Sequence, residues 1–173
     1  WQTKFVFGDP GLPGKAHSLT EGKSMTFVNG AFYVADADKH RVVKFREGQK
    51  VGEVVFGGRG SGDGLNQLSK PSGLLFHENA FYVADTFNHR IVKFKEGQDV
   101  VEVVFGGHGT GRGFNQLNQP SGLLFHENAF YVADTGNNRI VRSLKTGDVG
   151  IMEGFNVSGQ LGSTGKWGML GEE

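Results

Sequence analysis

The sequence predicts an all-β fold built from repeated units of four short strands. First, the segment 71–86 recurs unchanged at 120–135, and residues 27–36 repeat 76–85 in a diverged form. Second, each unit consists of short runs rich in aromatic and β-branched residues, separated by turn residues. Third, helical periodicity is absent, so we expect little or no helix. A repeat of 49 residues indicates a stacked or radial architecture.

The second unit illustrates the four strands, which we call a, b, c and d. They are predicted, in that order, at Leu74–His77, Ala80–Asp85, Arg90–Lys95 and Val100–Phe105. In the first unit the a–b turn is Asn29-Gly30, a strong hairpin signal. Four strands per unit predict a β-propeller in which each unit is one blade. A β-solenoid is the alternative, although its coils are usually shorter than this period.

The repeat assigns three blades to residues 24–57, 73–106 and 122–155. Residues 3–8 align with the last strand of the first unit, so we expect them to form an orphan outer strand of a preceding blade. Residues 156–173 break the repeat, and we expect this tail to dock through its apolar residues Trp167, Met169 and Leu170. Strand direction places the b–c turns and the d–a crossovers on one face, and the a–b and c–d turns on the other.

Three blades do not complete a propeller, which usually has four to eight. An open arc would expose two apolar blade faces, more than a soluble monomer normally shows. We therefore expect one of three arrangements. Two copies form a six-bladed ring as a homodimer, a different protein covers the exposed blade faces, or the chain is part of a longer propeller. In the dimer, the orphan strand of one copy would complete the third blade of the other.

The composition argues against several classes of function. Basic and acidic residues balance at 18 each, so nothing indicates binding to nucleic acid or to an anionic membrane. Cysteine is absent, which excludes disulfides and cysteine-based metal sites. No apolar run is long enough for a membrane-spanning helix, and no cofactor is expected. A start at Trp1 and a single glycosylation sequon at Asn156 suggest a secreted or organellar protein.

Part of the repeat resembles a known family. Residues 82–94 (YVADTFNHRIVKF) and 131–141 (YVADTGNNRIV) are similar to the signature of the NHL-repeat family, whereas residues 33–45 depart from it at Ala37 and Lys39. The resemblance implies propellers of commonly six blades that mostly bind protein or RNA. Related propellers include metal-dependent lyases and hydrolases.

An aspartate at the end of strand b is followed five residues later by an arginine in every unit. Such an acid can accept backbone N–H groups in the b–c turn, and the arginine can pair with it across the hairpin. A carboxylate–guanidinium catalytic site is the alternative, but a pair present in every blade is better interpreted as scaffold. The pairs are Asp36 with Arg41, Asp85 with Arg90, and Asp134 with Arg139.

The histidines and the glycine-rich segments do not match a known site. His40 and His89 recur, but the third unit has Asn138, and no spacing suggests a preformed metal site. The alternative of a metal site formed by several blades in a central channel is left open. Segments 57–64 and 106–113 lack the Gly-Lys-Ser/Thr end of a phosphate-binding loop, so we interpret them as crossovers.

Positions at which the units differ are the better candidates for a contact surface. Phe87 is an aromatic residue at a b–c tip and can anchor a partner. Neutral variation in loops is the alternative explanation. The candidate contact residues, all on the face predicted to carry the b–c turns and crossovers, are Asp38, Lys39, Arg59, Phe87, His108 and Arg112.

We therefore predict a non-catalytic propeller that serves as an interaction module or as a structural subunit of a larger protein assembly. RNA binding is the first alternative, and it would need a basic face that this neutral chain does not indicate. A metal-dependent lyase or hydrolase is the second. It would need metal ligands on inner strands that here offer mostly apolar groups.

Overall fold

A computed structural model describes residues 19–49, 51–144 and 152–156, with the backbone alone described for residues 144 and 152–156. Within these residues the chain forms three four-stranded antiparallel sheets, which confirms the predicted four-stranded blades. Blade 1 contains β1 (Gly22–Val28), β2 (Ala31–Asp36), β3 (Arg41–Arg46) and β4 (Glu53–Gly57). Blade 2 contains β5 (Pro71–His77), β6 (Ala80–Asp85), β7 (Arg90–Phe94) and β8 (Glu102–Gly106). Blade 3 contains β9 (Pro120–His126), β10 (Ala129–Asp134), β11 (Arg139–Leu144) and β12 (Met152–Asn156).

Tight turns join strands a and b in all three blades. In blade 1 the turn residues Asn29 and Gly30 have φ values of 49° and 75°, so both adopt the left-handed conformation of a type I′ hairpin. In blade 2 the same conformation is adopted by Glu78 and Asn79, at 47° and 59°. The hairpin therefore keeps its geometry although its sequence changes from Asn-Gly to Glu-Asn.

Each b–c turn is a single 3-10 turn of three residues. The turns span Ala37–Lys39, Thr86–Asn88 and Thr135–Asn137. Each ends at a residue in the left-handed region, which is His40, His89 or Asn138, with φ between 51° and 53°. These turns are the helical structure found in the described residues, in agreement with the prediction of little or no helix.

The hydrophobic core lies between neighbouring blades, and the two junctions share the same aromatic and leucine contacts. Tyr33 of blade 1 packs against Phe81 of blade 2 with ring centroids 4.4 Å apart, and Tyr82 packs against Phe130 of blade 3 at 4.6 Å. Leu68 and Leu117 of the two crossovers are fully buried, one in each junction. Blade 2 is therefore covered on both faces.

The first crossover contacts both the b–c and the c–d turn of blade 2. Phe87 N–H donates to the Ser69 carbonyl at 3.1 Å, which links the first crossover to the b–c turn of blade 2. Val101 N–H donates to the Leu65 carbonyl at 2.7 Å, so the same crossover also reaches the end of the c–d turn. Strand direction alone places the c–d turns on the face opposite the crossovers. The observed contact departs from that expectation, because sheet twist tilts the outer strand away from the inner one.

Several predictions fall on residues that the structure does not describe. Residues 3–8, expected as an orphan strand, and Trp167, Met169 and Leu170 of the tail all lie outside the described residues. Asn156 is the last residue of β12, and the remainder of its sequon is likewise outside them. In the described part of the chain, no helix is both long and apolar enough to cross a membrane.

Candidate protein-contact face

The repeated aspartates and arginines form ion pairs across the b–c hairpins. Strand register places Asp36 opposite Arg41, and the other two pairs follow the same pattern. In each pair the arginine Nε donates to the aspartate Oδ2, and the aspartate side chain is fully buried. The three Nε–Oδ2 distances are 2.9 Å for Asp36–Arg41, 2.8 Å for Asp85–Arg90 and 2.7 Å for Asp134–Arg139.

The other carboxylate oxygen holds the segment that precedes strand a. Asp85 Oδ1 accepts from Ser69 N–H at 2.6 Å, and Asp134 Oδ1 accepts from Asn118 N–H at 2.6 Å. In blade 1, Asp36 Oδ1 accepts from Thr20 N–H at 3.1 Å. Each aspartate therefore fastens its own b–c hairpin to the chain that enters the blade.

The guanidinium of Arg90 completes this network. Its Nη1 donates to the Asp63 carbonyl at 2.7 Å, and its Nη2 donates to the Gly64 carbonyl at 3.2 Å. Burial raises the pKa of Asp85, while hydrogen bonds from Asn88, from Ser69 N–H and from Arg90 oppose that shift. In blade 2 the carboxylate of Asp85 and the guanidinium of Arg90 are therefore engaged with one another and with the backbone of the crossover.

The recurrent histidines connect neighbouring blades. His40 Nδ1 accepts from Lys70 N–H at 3.0 Å, and His89 Nδ1 accepts from Gln119 N–H at 3.1 Å. Each histidine stands at the end of a b–c turn and bonds the backbone just before strand a of the next blade. Their repetition is explained by this structural role.

The charged candidates for the contact face are exposed, and several engage neighbouring groups. Asp38 is hydrogen-bonded to the Lys70 ammonium, which lowers the pKa of Asp38 and raises that of Lys70. Arg112 Nη2 donates to the Asn137 carbonyl at 2.7 Å. Lys39 and His108 are also exposed.

Arg59 lies apart from the b–c tips. Its Nη2 is 3.8 Å from Asp99 Oδ1, an exposed residue of the c–d turn of blade 2. Arg59, Asn66, Gln98 and Asp99 help to line a cavity of about 230 Å³ beside strand β4. The structure therefore places Arg59 toward the outer side of the junction and does not join it with Phe87 in one cluster.

Three exposed apolar side chains lie on the b–c turn of blade 2 and on the two crossovers. The Phe87 side chain is 55% exposed, although its backbone is held by Ser69. Leu65 and Phe114 occupy the same register in the two crossovers and are also exposed. Sequence reasoning missed these two residues, and the available signal was an apolar residue directly after each glycine-rich segment.

Groups that could bind a metal ion do not converge in the described residues. Within residues 19–49, 51–144 and 152–156, no three His, Asp or Glu side chains lie close enough to hold an ion. The inner strands there carry mainly aliphatic and aromatic side chains toward the blade faces.

Comparison with known proteins finds similarity in structure alone. No family model and no curated protein matches the chain. An auxiliary nutrient binding protein from Bacteroides thetaiotaomicron superposes with a TM-score of 0.56 at 20% identity, covering 68% of this chain and 36% of that chain. Its counterpart from Bacteroides ovatus has a TM-score of 0.55 at 20% identity, with 65% and 34% covered.

A third neighbour is a catalytically inactive virginiamycin B lyase from Staphylococcus aureus, solved with quinupristin. It has a TM-score of 0.54 at 15% identity and covers 86% of this chain and 44% of that one. The fold is a β-propeller. The described residues form three blades of a partial propeller, and the chain spans less than half the length of these structures. At such low identity the similarity establishes the fold alone.

Proposed function

We propose that this chain is a non-catalytic propeller module of the NHL type that binds another protein through its contact face. The contact face is centred on the b–c turns with Asp38, Lys39 and Phe87, and on Arg112, which bonds the b–c turn of blade 3. The crossover residues Leu65, Phe114 and His108 extend it toward the outer side of the junctions, where Arg59 lies. The observation that carries the proposal is the exposed aromatic ring of Phe87 on a backbone held by hydrogen bonds.

The repeat supports this choice of residue. Where blade 2 has Phe87, blade 1 has Asp38 and blade 3 has Gly136, so the blade does not need an aromatic side chain at this position to fold. The repeated aspartate, arginine and histidine side chains, by contrast, are used inside and between the blades. Phe87 is therefore available to a partner without loss of a structural contact.

The geometry of the tip favours binding. A side chain presented on an ordered turn loses little backbone entropy when a partner covers it. Burying the remaining half of the ring would contribute roughly 1–2 kcal/mol, and aromatic residues are frequent anchors of protein interfaces. The flanking charges Asp38 and Lys39, of opposite sign, suit the polar rim of such an interface.

A peptide-display library selected on the intact chain tests the proposal. Peptides that bind the wild type should bind the Phe87→Ala variant roughly tenfold or more weakly. Val51→Ala is the matched control, because Val51 is 50% exposed but lies on the c–d turn of blade 1. It should leave the affinity of those peptides unchanged.

Two further measurements would contradict the proposal. Retention of single-stranded RNA on a filter at low salt, weakening as salt is raised, would favour an RNA-binding propeller. Elemental analysis showing stoichiometric calcium or zinc in the purified chain would favour the metal-dependent enzyme class. Equal peptide affinity of the wild type and Phe87→Ala would remove Phe87 from the interface.

A further inference from the structure

The junction between blades 2 and 3 shows how one blade of this repeat packs against the next. The Ser72 and Thr86 hydroxyl oxygens lie 2.6 Å apart in blade 2, and Thr86 Oγ1 donates to the Pro120 carbonyl of blade 3 at 2.9 Å. A Cβ atom on Gly73 would lie 2.3 Å from the Ser121 carbonyl oxygen, so the inner strands approach as closely as glycine allows. Hydroxyl groups and a glycine therefore build the inner part of the junction.

Blade 3 carries the same groups on its open face. Ser121 and Thr135 repeat the hydroxyl pair at 2.6 Å, and here the pair is exposed. A Cβ atom on Gly122 would meet only the Ala133 Cβ of its own blade, at 3.4 Å, among the described residues. Leu124 is exposed on the same strand, whereas its counterpart Leu75 packs against the core of the 2–3 junction.

On the opposite face of blade 1, the open face of that blade, the described residues leave the inner strand exposed. Met25 and Phe27 are exposed, although their counterparts Leu74 and Phe76 pack into the junction between blades 1 and 2. On the outer half of this face, Leu19 packs against buried Val34. Leu19 is the register counterpart of the junction leucines Leu68 and Leu117, so this half already has the arrangement of a junction.

An ionic cluster crosses the junction between blades 1 and 2. Tyr33 Oη of blade 1 donates to Glu96 Oε2 of the blade 2 c–d turn at 2.7 Å, and the Lys44 ammonium bonds the other oxygen of Glu96. The register counterparts on blade 3 are Tyr131 and Arg142. An acid at the same turn of a following blade would bond these two side chains as Glu96 bonds Tyr33 and Lys44.

Blade 1 presents that acid. Glu47 is exposed and is the register counterpart of Glu96. The two turns share the same hydrogen bonds, since Gln49 N–H donates to the Arg46 carbonyl at 3.0 Å and Gln98 N–H donates to the Lys95 carbonyl at 3.0 Å. At this register the sequence of blade 3, in contrast, has the basic residue Lys145.

We propose that the open face of blade 3 binds the open face of blade 1 in a second copy of this chain. Glu47 of the second copy then bonds Arg142 and Tyr131, and its inner strand accepts hydrogen bonds from Ser121 and Thr135. Closed propellers have about four to eight blades, and six is the multiple of three in that range. Two head-to-tail junctions of this kind therefore close a ring of two copies.

Light scattering of the intact chain tests the proposal through a charge exchange. The wild type at roughly 100 µM should have twice the chain mass of 18.7 kDa. Glu47→Arg and Arg142→Glu should each raise the dimer dissociation constant about tenfold or more, because each places like charges together. The combination of both substitutions should restore dimerisation to within a few-fold of wild type.

Asp63→Arg is the matched control, since it makes the same charge change at a position where the next repeat has Arg112. It should leave the dimer intact. Gly122→Ala is an independent probe, because its new methyl group would meet the partner's inner strand, and it should weaken the dimer while circular dichroism shows a folded chain.

A wild-type monomer at roughly 100 µM would overturn the proposal. So would a double variant that dimerises no better than the single variants, or a Gly122→Ala variant that dimerises as wild type. Phe87 lies at a turn and not on either open blade face, so failure of this proposal would leave the peptide-binding proposal standing, and the reverse also holds.

Discussion

The segments 71–86 and 120–135 have the same sequence but different surroundings. In blade 2 this segment is covered on both sides, and Thr86 donates a hydrogen bond to the Pro120 carbonyl of blade 3. In blade 3 the equivalent Thr135 bonds Ser121 and its own strand, and the pair is exposed. The contribution of these residues to stability therefore depends on the neighbouring blade as well as on the residues themselves.

The local structure of the two segments is nevertheless the same. Both form a hairpin of strands a and b followed by a 3-10 turn. The buried ion pair after strand b also has nearly the same length in both, at 2.8 Å for Asp85–Arg90 and 2.7 Å for Asp134–Arg139. Substitutions made in parallel in the two segments therefore separate local from inter-blade contributions.

The largest effect is expected for removal of the buried carboxylate. Asp85→Ala leaves the Arg90 guanidinium, whose side chain is 6% exposed, without its ion-pair partner and should cost about 3–5 kcal/mol of unfolding free energy. Asp134→Ala should cost less, because the Arg139 side chain is 15% exposed and is closer to water. Urea unfolding of both variants measures the difference.

Asp85→Asn and Asp134→Asn provide milder versions of the same pair if an alanine variant does not fold. They keep the shape of the side chain and part of its hydrogen bonding. Equal losses in the two blades, for either type of substitution, would show that the burial of the arginine does not set the cost.

An intermediate effect is expected for the inner-strand glycines. Gly73→Ala places a Cβ atom 2.3 Å from the Ser121 carbonyl oxygen and should cost about 1–3 kcal/mol, because the inner strands must move apart. Gly122→Ala should change the stability by less than about 0.5 kcal/mol when measured on dilute, monomeric chain. Thermal unfolding of the two variants gives the comparison, and a similar loss for both would contradict it.

The smallest effect is expected at the ionic cluster between blades 1 and 2. Burial would raise the pKa of Glu96, but hydrogen bonds from Lys44 and Tyr33 outweigh it and lower that pKa below its ordinary value of 4.5. This stabilisation is present above pH 4.5 and is lost as the pH falls through the folded-state value. Burial and the bond to Glu96 raise the pKa of Tyr33, and the bonds to Glu96 and Tyr33 raise that of Lys44 despite burial.

The stabilisation from Tyr33 and Lys44 is therefore present below their ordinary values of 10.0 and 10.5 and is lost as the pH rises through the folded-state values. Glu96→Gln should flatten both ends of the stability–pH curve. The change should stay below about 1 kcal/mol, since the Glu96 side chain is 40% exposed. Glu102→Gln, at an exposed pair within blade 2, should leave the alkaline end unchanged.

Much of the architecture could be predicted from the sequence, because its signals are local and occur three times. The 49-residue period, the turn residues and the short runs rich in aromatic and β-branched residues together predicted the four-stranded blades. The candidate site could be predicted less completely. Phe87 was found because it departs from the repeat, whereas Leu65 and Phe114 were missed because their exposure depends on the path of the crossover.

The strands follow from the sequence, as do their order within each blade and the recurrence of the buried charges, since each of these depends on residues close together in the chain. The contacts around those elements depend on tertiary packing. It brought the Glu96 carboxylate of blade 2 to Tyr33 and Lys44 of blade 1, and it placed the Ser121 carbonyl where only glycine fits at position 73. Burial and ion pairing between blades depend on how whole sheets pack. The identical segments 71–86 and 120–135 cannot specify that packing, because their neighbours differ.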